Sequence, residues 1–403
     1  MTAPGFPAAF TPGGESDLRV FVVAGEPSGD ALAGSLVAAL RRRLGPRLRI
    51  AGIGGERMAE QGLQSLFPMT DLALIGLVEV VPHIPRLLRR LRETEEAIQR
   101  FRPHAVVTVD APGFSFRLAA RLHGGGIPVI HYVAPTVWAW RPGRARRIAP
   151  LLHHLLVLLP FEPPWFERWG LPTSYVGHPA LEVVRPVNAD RSTAERRGGA
   201  PPRICLLPGS RRGELRRHLP VFAKVLSRLG ERYPGLQAVL PTVPALAGTI
   251  SQAAADWPVA PEIIVDRAAA LQAMASADVA LAASGTVTLE LALLGTPFVA
   301  TYRVNPLTAA VLRRLLRVRY ATLVNLVLDR PAVPELLQER CRPDLLVEAL
   351  DRLIAEPGEG AAQRSAFAEL ARRLEVGAAP SERAAEIVAD IVLKAESSRR
   401  SRG

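Results

Sequence analysis

The sequence predicts an α/β protein made of two tandem doubly wound, parallel-sheet (Rossmann-like) domains. Short β-branched runs alternate with amphipathic segments along most of the chain, the pattern of strands joined by crossover helices. That alternation stops in a Pro-, Gly- and charge-rich stretch at residues 185–202 and then restarts. Glycine-containing turns directly follow several of the apolar runs, where a parallel sheet carries its binding loops.

Residues 19–24 read as a buried strand, followed by a Gly turn and a helix from about 28 to 44, and residues 49–53 as a second strand. Leu87, Leu91, Thr94 and Ile98 recur at helical steps, so 86–101 is expected to be a helix with one inward face. Strands at 105–110 and 128–133, and weaker ones at 155–159 and 174–176, complete the first unit. Beyond the linker, strands are expected at 204–207, 237–240, 263–265, 279–283 and 298–302, with helices running to about 232, near 268–276 and at 286–294. Gly295 and Pro297 end the last of these. The expected layout is a disordered tail at 1–16, a first domain at 17–184, a linker at 185–202 and a second domain at 203–360. Helices at 361–394 are expected to pack back on the first domain, and 395–403 to form a basic tail. Both sheets would turn the C-terminal ends of their strands toward a common cleft.

The composition bounds the function classes. With 403 residues and 48% hydrophobic content, the chain can bury ordinary cores, so disorder is excluded for most of its length. Cys205 and Cys341 cannot build a disulfide framework or a four-cysteine zinc site. The net charge of +12 comes almost wholly from arginine, Lys224 and Lys394 being the only lysines; charge alone does not separate a coding bias from an anionic partner. No motif of the common nucleic-acid-binding domains occurs. No apolar run approaches the roughly 18–20 residues that span a bilayer, and the N-terminus lacks the basic start and apolar stretch of a signal peptide. A cytoplasmic protein is expected, with contact to a membrane surface left open.

Five loops after strands carry the candidate chemistry. In Ala24-Gly25-Glu26-Pro27-Ser28-Gly29-Asp30 the glycines permit a close ligand approach, and Glu26 with Asp30 suits sugar hydroxyls better than phosphate; Ser28 could equally cap the helix. Asp110, in Thr108-Val109-Asp110-Ala111-Pro112, closes an apolar strand, where desolvation makes a carboxylate a better proton acceptor; a turn or N-cap aspartate is the plainer alternative. His131 opens an aromatic stretch with Tyr132, Trp138 and Trp140. It is a base candidate or a hydrogen-bonded core histidine, and the tryptophans suit a structural role. The loop Leu207-Pro208-Gly209-Ser210-Arg211-Arg212 offers backbone N–H groups and a guanidinium to a diphosphate. In Ser284-Gly285-Thr286-Val287-Thr288-Leu289-Glu290, small residues leave room for phosphate at a helix start that Ser284 or Thr286 can cap, and Glu290 lies within reach of a ribose. Gln338 is a further candidate. No HExxH motif, clustered aspartates or ligand-spaced histidines call for a metal, and no cofactor is expected.

Taken in order, these loops, together with Ile75-Gly76-Leu77-Val78-Glu79-Val80, Leu159-Pro160-Phe161-Glu162, Val176-Gly177-His178-Pro179 and Leu323-Val324-Asn325-Leu326, closely resemble the lipid-A-disaccharide synthase family. The likeness covers about residues 18–380; each motif is weak, and the ordered set is very specific. The resemblance implies a GT-B architecture and an inverting, metal-independent glycosyltransferase. Its donor would be UDP-2,3-diacylglucosamine and its acceptor 2,3-diacylglucosamine 1-phosphate, yielding UDP and the β-1,6-linked disaccharide 1-phosphate. It carries Glu26 and Asp110 over as acceptor-side or catalytic carboxylates, and Arg211, Glu290 and Asn325 as donor-nucleotide or catalytic residues. Ser28, Asp30, His131 and Gln338 complete the candidates. After Asp110 the family's usual Pro-Asp-Phe-Asn is replaced by Pro112-Gly113-Phe114-Ser115, which leaves Asp110 without a second carboxylate there.

On this expectation Asp110 accepts the proton of the acceptor 6-hydroxyl and Glu26 orients the acceptor, although the two could exchange roles. Acylated substrates would bring the enzyme to the anionic inner-membrane surface. Residues 67–92, with Arg86, Arg89, Arg90 and Arg92, and residues 307–319, with Arg313, Arg314, Arg317 and Arg319, would form the contact. The sequence is compatible with a homodimer. The alternatives are a transferase or epimerase of the same fold acting on soluble UDP-N-acetylglucosamine, and a catalytically silent binding protein.

Overall fold

The computed structural model describes residues 17–73, 80–189 and 201–401. The expected tail at 1–16, most of the 75–80 motif and most of the expected linker lie outside the described residues. The chain divides into two units, Met1–Pro179 with Val376–Gly403, and Ala180–Glu375.

The first unit carries a six-stranded sheet of β1 (Leu18–Ala24), β2 (Leu48–Ile53), β3 (Ala105–Val109), β4 (Val129–Tyr132), β5 (His154–Val157) and β6 (Thr173–Tyr175), in the order β2-β1-β3-β4-β5-β6. Every pairing is parallel. In β1, Phe21 and Val23 enter one buried cluster, whereas Val20, Val22 and Ala24 enter another. A strand covered on both faces reads as one continuous apolar run, which is why the sequence reveals it. The second unit repeats the plan with β7 (Arg203–Leu207), β8 (Gln237–Pro241), β9 (Glu262–Ile264), β10 (Val279–Ala283), β11 (Phe298–Tyr302) and β12 (Glu335–Leu337), in the order β12-β11-β10-β7-β8-β9.

The strand order reverses direction once in each sheet, between β1 and β3 in the first and between β7 and β10 in the second. Neighbouring loops part at such switch points and open a crevice beyond the strand ends. Four of the five loops chosen from sequence are the ones that follow these four strands.

Proline explains most of what the sequence hid. Pro27, Pro112, Pro244, Pro343, Pro357 and Pro380 each open a helix, where the missing N–H would have had no intrahelical partner. A reading that takes proline as a terminator misses the helices Pro112–Leu122, Pro244–Ala254 and Pro343–Ala355. It also starts the helix Val80–Phe101 six residues late, because Pro85 lies inside it.

Three expected boundaries differ from the structure. The second unit begins at Ala180 rather than beyond a linker, because Ala180–Ala189 is a helix that buries Ala180 and Val184 one turn apart. The helix Pro357–Leu374 stays with the second unit: Phe367 stacks on Phe298 at 5.7 Å, and the Gln363 amide brackets the Phe298 backbone at 2.9 and 3.2 Å. Only the helix Pro380–Arg400 joins the first unit, burying Ala384, Ala385, Val388, Ala389 and Val392 in the cluster that holds Val20 and Val22. The expected tail is helical to Arg400, and Arg399 donates to the carbonyls of Arg102 and Pro103.

The aromatic loop after β4 is tied down by a buried acid. Glu162 accepts from the Trp138 indole N–H at 3.0 Å, and its other oxygen accepts from the amides of Leu158 and Leu159 at 3.2 and 3.0 Å. Burial pushes its carboxyl up from 4.5 to about 7 against the pull of those three donors. Because the folded value is raised, the stability this group contributes is full below pH 4.5 and is lost as pH rises through about 7. The thermal-stability advantage of the natural protein over Glu162→Gln should therefore be largest at the acid end, at pH 4.5, and fall away as the pH rises through about 7. Melting curves of both between pH 4.5 and 8 check this, and a gap that stays constant would show an ordinary carboxyl.

Candidate functional site

In the first unit the two switch-point loops touch. A Cβ built on Gly25 would lie 2.5 Å from the Cβ of Ala111, so only glycine lets the loop after β1 approach the loop after β3. The helix Pro27–Leu44 then starts directly beside the end of β3. Its N-cap position is Glu26, extended and without a side-chain cap, so the alternative of Ser28 as the helix cap does not hold. The Ser28 hydroxyl instead favours the ionised form of the Asp110 carboxylate.

Asp110 and Ala111 both have left-handed backbones, with φ of 53° and 45°. Aspartate tolerates this region, whereas alanine there is strained by about 1–3 kcal/mol. The pair is held from several sides. The Asp110 N–H donates to the Tyr132 carbonyl at 2.9 Å, the Ser115 hydroxyl donates to the Asp110 carbonyl at 2.7 Å, and Phe114 and Ser115 donate to the Ala111 carbonyl, both at 3.0 Å. Burial raises the Asp110 carboxyl above its ordinary value, while the Ala111 amide and Ser28 pull it back. The outcome is a half-buried proton acceptor beside an exposed Glu26.

Two other candidates of this unit are structural. Asp30 is buried and accepts from the amides of Gly55 at 2.7 Å, Arg57 at 2.9 Å and Met58 at 3.3 Å, so it anchors the loop after β2 rather than facing a sugar. His131 is fully buried, with Nδ1 2.8 Å from the Thr108 hydroxyl and its ring 4.6 Å from Phe116. Burial and Arg144 push it down to about 3, so it stays neutral in the core, and the base assignment is set aside.

In the second unit a cavity of about 530 Å³ opens over the ends of β7, β8, β9 and β10, and Gly209, Ser210, Arg211, Ser284, Gly285, Thr286 and Glu290 all line it. Seven of the sequence candidates therefore meet in one place, with some roles changed. The amides of Ser210 and Arg211 already donate to Glu214 Oε2, at 2.9 and 3.2 Å, and Tyr302 donates to Oε1 at 3.0 Å. Gly209 is required because a Cβ there would lie 2.4 Å from that same carboxylate oxygen. These backbone groups are thus not offered to a diphosphate. The anion-seeking group of the loop is the Arg211 side chain, 81% exposed. Ser284 does not cap the next helix either: its hydroxyl donates to the Ala321 carbonyl at 2.9 Å, and Gly285 stands uncapped at the start of Thr286–Leu293. Glu290 is buried, paired through Oε1 with Arg267 at 2.6 Å; its Oε2 has no hydrogen-bond partner among the described residues.

Asn325 and Gln338 lie elsewhere. The buried Asn325 amide donates to the Val333 carbonyl and to Glu335, at 3.0 and 2.9 Å, and accepts from the Val333 amide at 3.0 Å. Every polar atom of that side chain is used in holding its own loop, which replaces the donor-binding role. Gln338 follows the edge strand β12 with φ of 51° and accepts from the Val304 amide at 3.3 Å; it does not line the cavity. Sequence reasoning missed Thr242, Arg267 and Glu214, which line the cavity, and Ser115. Thr242-Val243-Pro244 follows an assigned strand, and Glu214 stands three residues after Arg211 as in a capping box, so both signals were present. Among the described residues no cluster of His, Cys, Asp and Glu could hold a metal ion.

Comparison with known proteins places this architecture. The family described as lipid-A-disaccharide synthetase matches residues 20–391. The lipid-A-disaccharide synthase of Rhodospirillum centenum is 52% identical over 94% of this chain and 95% of its own length, and that of Paramagnetospirillum magneticum is 44% identical over 95% and 100%. Among solved structures, UDP-GlcNAc 2-epimerase from Neisseria meningitidis bound to UDP-GlcNAc aligns with a TM-score of 0.60 at 13% identity, covering 94% of this chain and all of that one. Acinetobacter baumannii MurG aligns with a TM-score of 0.52 at 14% identity, covering 94% and 99%. At such identity the structural likeness establishes the tandem Rossmann-like GT-B fold. The sequence match over nearly the whole chain goes further: the chain belongs to the lipid-A-disaccharide synthase family and is a glycosyltransferase.

Proposed function

We propose that the chain transfers 2,3-diacylglucosamine from UDP-2,3-diacylglucosamine to 2,3-diacylglucosamine 1-phosphate by a single displacement with inversion. The products are the β-1,6-linked disaccharide 1-phosphate and UDP. The observation that carries the chemistry is Asp110, a half-buried carboxyl of raised proton affinity at a switch point. It takes the proton of the acceptor 6-hydroxyl as that oxygen bonds to the donor anomeric carbon. The bond from that carbon to the diphosphate oxygen breaks, and its electron pair leaves with UDP. Arg211 and the uncapped helix start at Gly285–Thr286 stabilise the charge that develops on the diphosphate. Glu290 Oε2, buried in the cavity wall, suits a ribose hydroxyl donor, and Glu26 suits orientation of the acceptor. A transferase or epimerase of soluble UDP-N-acetylglucosamine finds no support in the close relatives, which are lipid-A-disaccharide synthases.

Acylated substrates also call for a membrane-facing surface. No helix of the described residues is long and apolar enough to cross a membrane, so the attachment proposed is peripheral. Of the two stretches considered, residues 307–319 fit better. Leu315 and Leu316 are exposed beside exposed Arg314 and Arg317, whereas Arg86 and Arg90 are tied to Asp71 and Arg89 to Glu93.

Three outcomes follow. Asp110→Asn should lower turnover by several powers of ten, measured as disaccharide formation and UDP release, while leaving UDP affinity nearly intact; normal turnover would discard the assignment. Ser28→Ala removes a hydroxyl that favours the ionised Asp110, so the acid limb of the kcat/KM profile should move to higher pH. At low salt the protein should float with anionic vesicles, and the double replacement Leu315→Glu and Leu316→Glu should release it; no flotation by the natural protein would remove peripheral attachment.

A further inference from the structure

We infer that Thr242 is a specificity-determining residue of the second-unit cavity, its hydroxyl bonding the edge of the nucleobase while Val243 and Val265 cover the base's face. The inference rests on the reading of that cavity as a nucleoside diphosphate site and adds a contact to it. Thr242 Oγ1 is buried and has no hydrogen-bond partner among the described residues, and the residue lines the cavity. Buried threonines elsewhere in this unit are satisfied: Thr288, Thr296 and Thr301 each donate to a backbone carbonyl at 2.7–2.8 Å. A hydroxyl kept from both protein and solvent costs stability, and a ligand that completes its bonding offsets that cost.

The sheet defines what surrounds it. Pro241 pairs with Ile264, and the Thr242 amide donates to the Ile264 carbonyl at 2.8 Å, so the chain leaves β8 and β9 side by side. Val243 and Val265 follow immediately, 43% and 46% exposed, and both line this same cavity. Two valines held open to solvent beside a hydroxyl without a partner form a slot for a flat ring with a polar rim, and uracil has both. A hydroxyl can donate to a carbonyl oxygen or accept from an imide N–H, so either part of that rim satisfies it. Arg211 and the Gly285 helix start follow β7 and β10, while Thr242 and the valines follow β8 and β9. From β10 to β8 the sheet runs two strand spacings, about 10 Å. A nucleoside diphosphate laid along the strand ends would thus keep its phosphates at the switch point and its base toward β9.

The test uses the full-length protein with Thr242→Val, which keeps the shape and deletes the hydroxyl, and Thr242→Ser, which keeps the hydroxyl. UDP and UMP affinities are measured by calorimetry, donor kinetics by UDP release and stability by melting without ligand. Thr242→Val should melt at or above the natural protein and bind UDP and UMP about five- to tenfold more weakly, by equal factors, as expected for one neutral hydrogen bond. The loss should fall on the donor KM more than on kcat, and Thr242→Ser should restore binding to within about twofold. Unchanged UMP affinity in Thr242→Val, with a lowered melting temperature, would overturn the inference in favour of a structural hydroxyl. A loss confined to UDP would overturn it by moving the contact to the diphosphate. Failure of the natural protein to bind UDP at all would overturn the nucleotide site itself, and the contact with it.

Discussion

No side chain fits at position 25, and the proton acceptor depends on that. Without a Cβ there, the loop after β1 closes onto Ala111, and the first turn of the following helix brings Ser28 to the Asp110 carboxylate. The left-handed pair Asp110–Ala111 is worth its strain only because this approach, the Ser115 hydroxyl and the β4 carbonyl all hold it. The proton affinity of Asp110 is therefore decided partly by a glycine eighty-five positions earlier in the chain. Ser115 stands where the family usually has asparagine, and its bond to the Asp110 carbonyl gives that departure a structural use.

The carboxylates near the candidate site show how one residue type is put to different tasks. Asp30, Glu214 and Glu162 each accept from two or more backbone N–H or indole donors and serve as internal anchors. Asp110 is half-buried with limited hydrogen bonding, and Glu290 commits one oxygen to Arg267 and leaves the other within the cavity wall. What separates anchor from reactant is how many donors reach the acid, not how deeply it is buried.

Legibility in the sequence followed the same division. The strands of both sheets were readable because parallel strands buried on both faces are continuous apolar runs, and the loops at the switch points were readable as glycine turns behind them. The short strands β6 and β9 were placed to within a residue while β12, equally short, was not read, and several helices escaped because they open with proline. Side-chain direction was not readable at all. Loop position makes Asp30, and the family resemblance makes Asn325, look like ligand-facing residues, and neither points to Thr242, because whether a polar group finds a partner inside the protein depends on how other segments fold around it: the amides of 55–58 for Asp30, and the Val333 backbone with the Glu335 carboxylate for Asn325.

The helix Pro380–Arg400 closes the face of the first sheet that Val20 and Val22 help to form, although some two hundred residues of the other unit are synthesised in between. During translation the second unit can finish folding while the first still shows an oily flank. The earliest-made half is thus the last to mature, and a nascent chain would keep that flank open to chaperones until its closing segment leaves the ribosome.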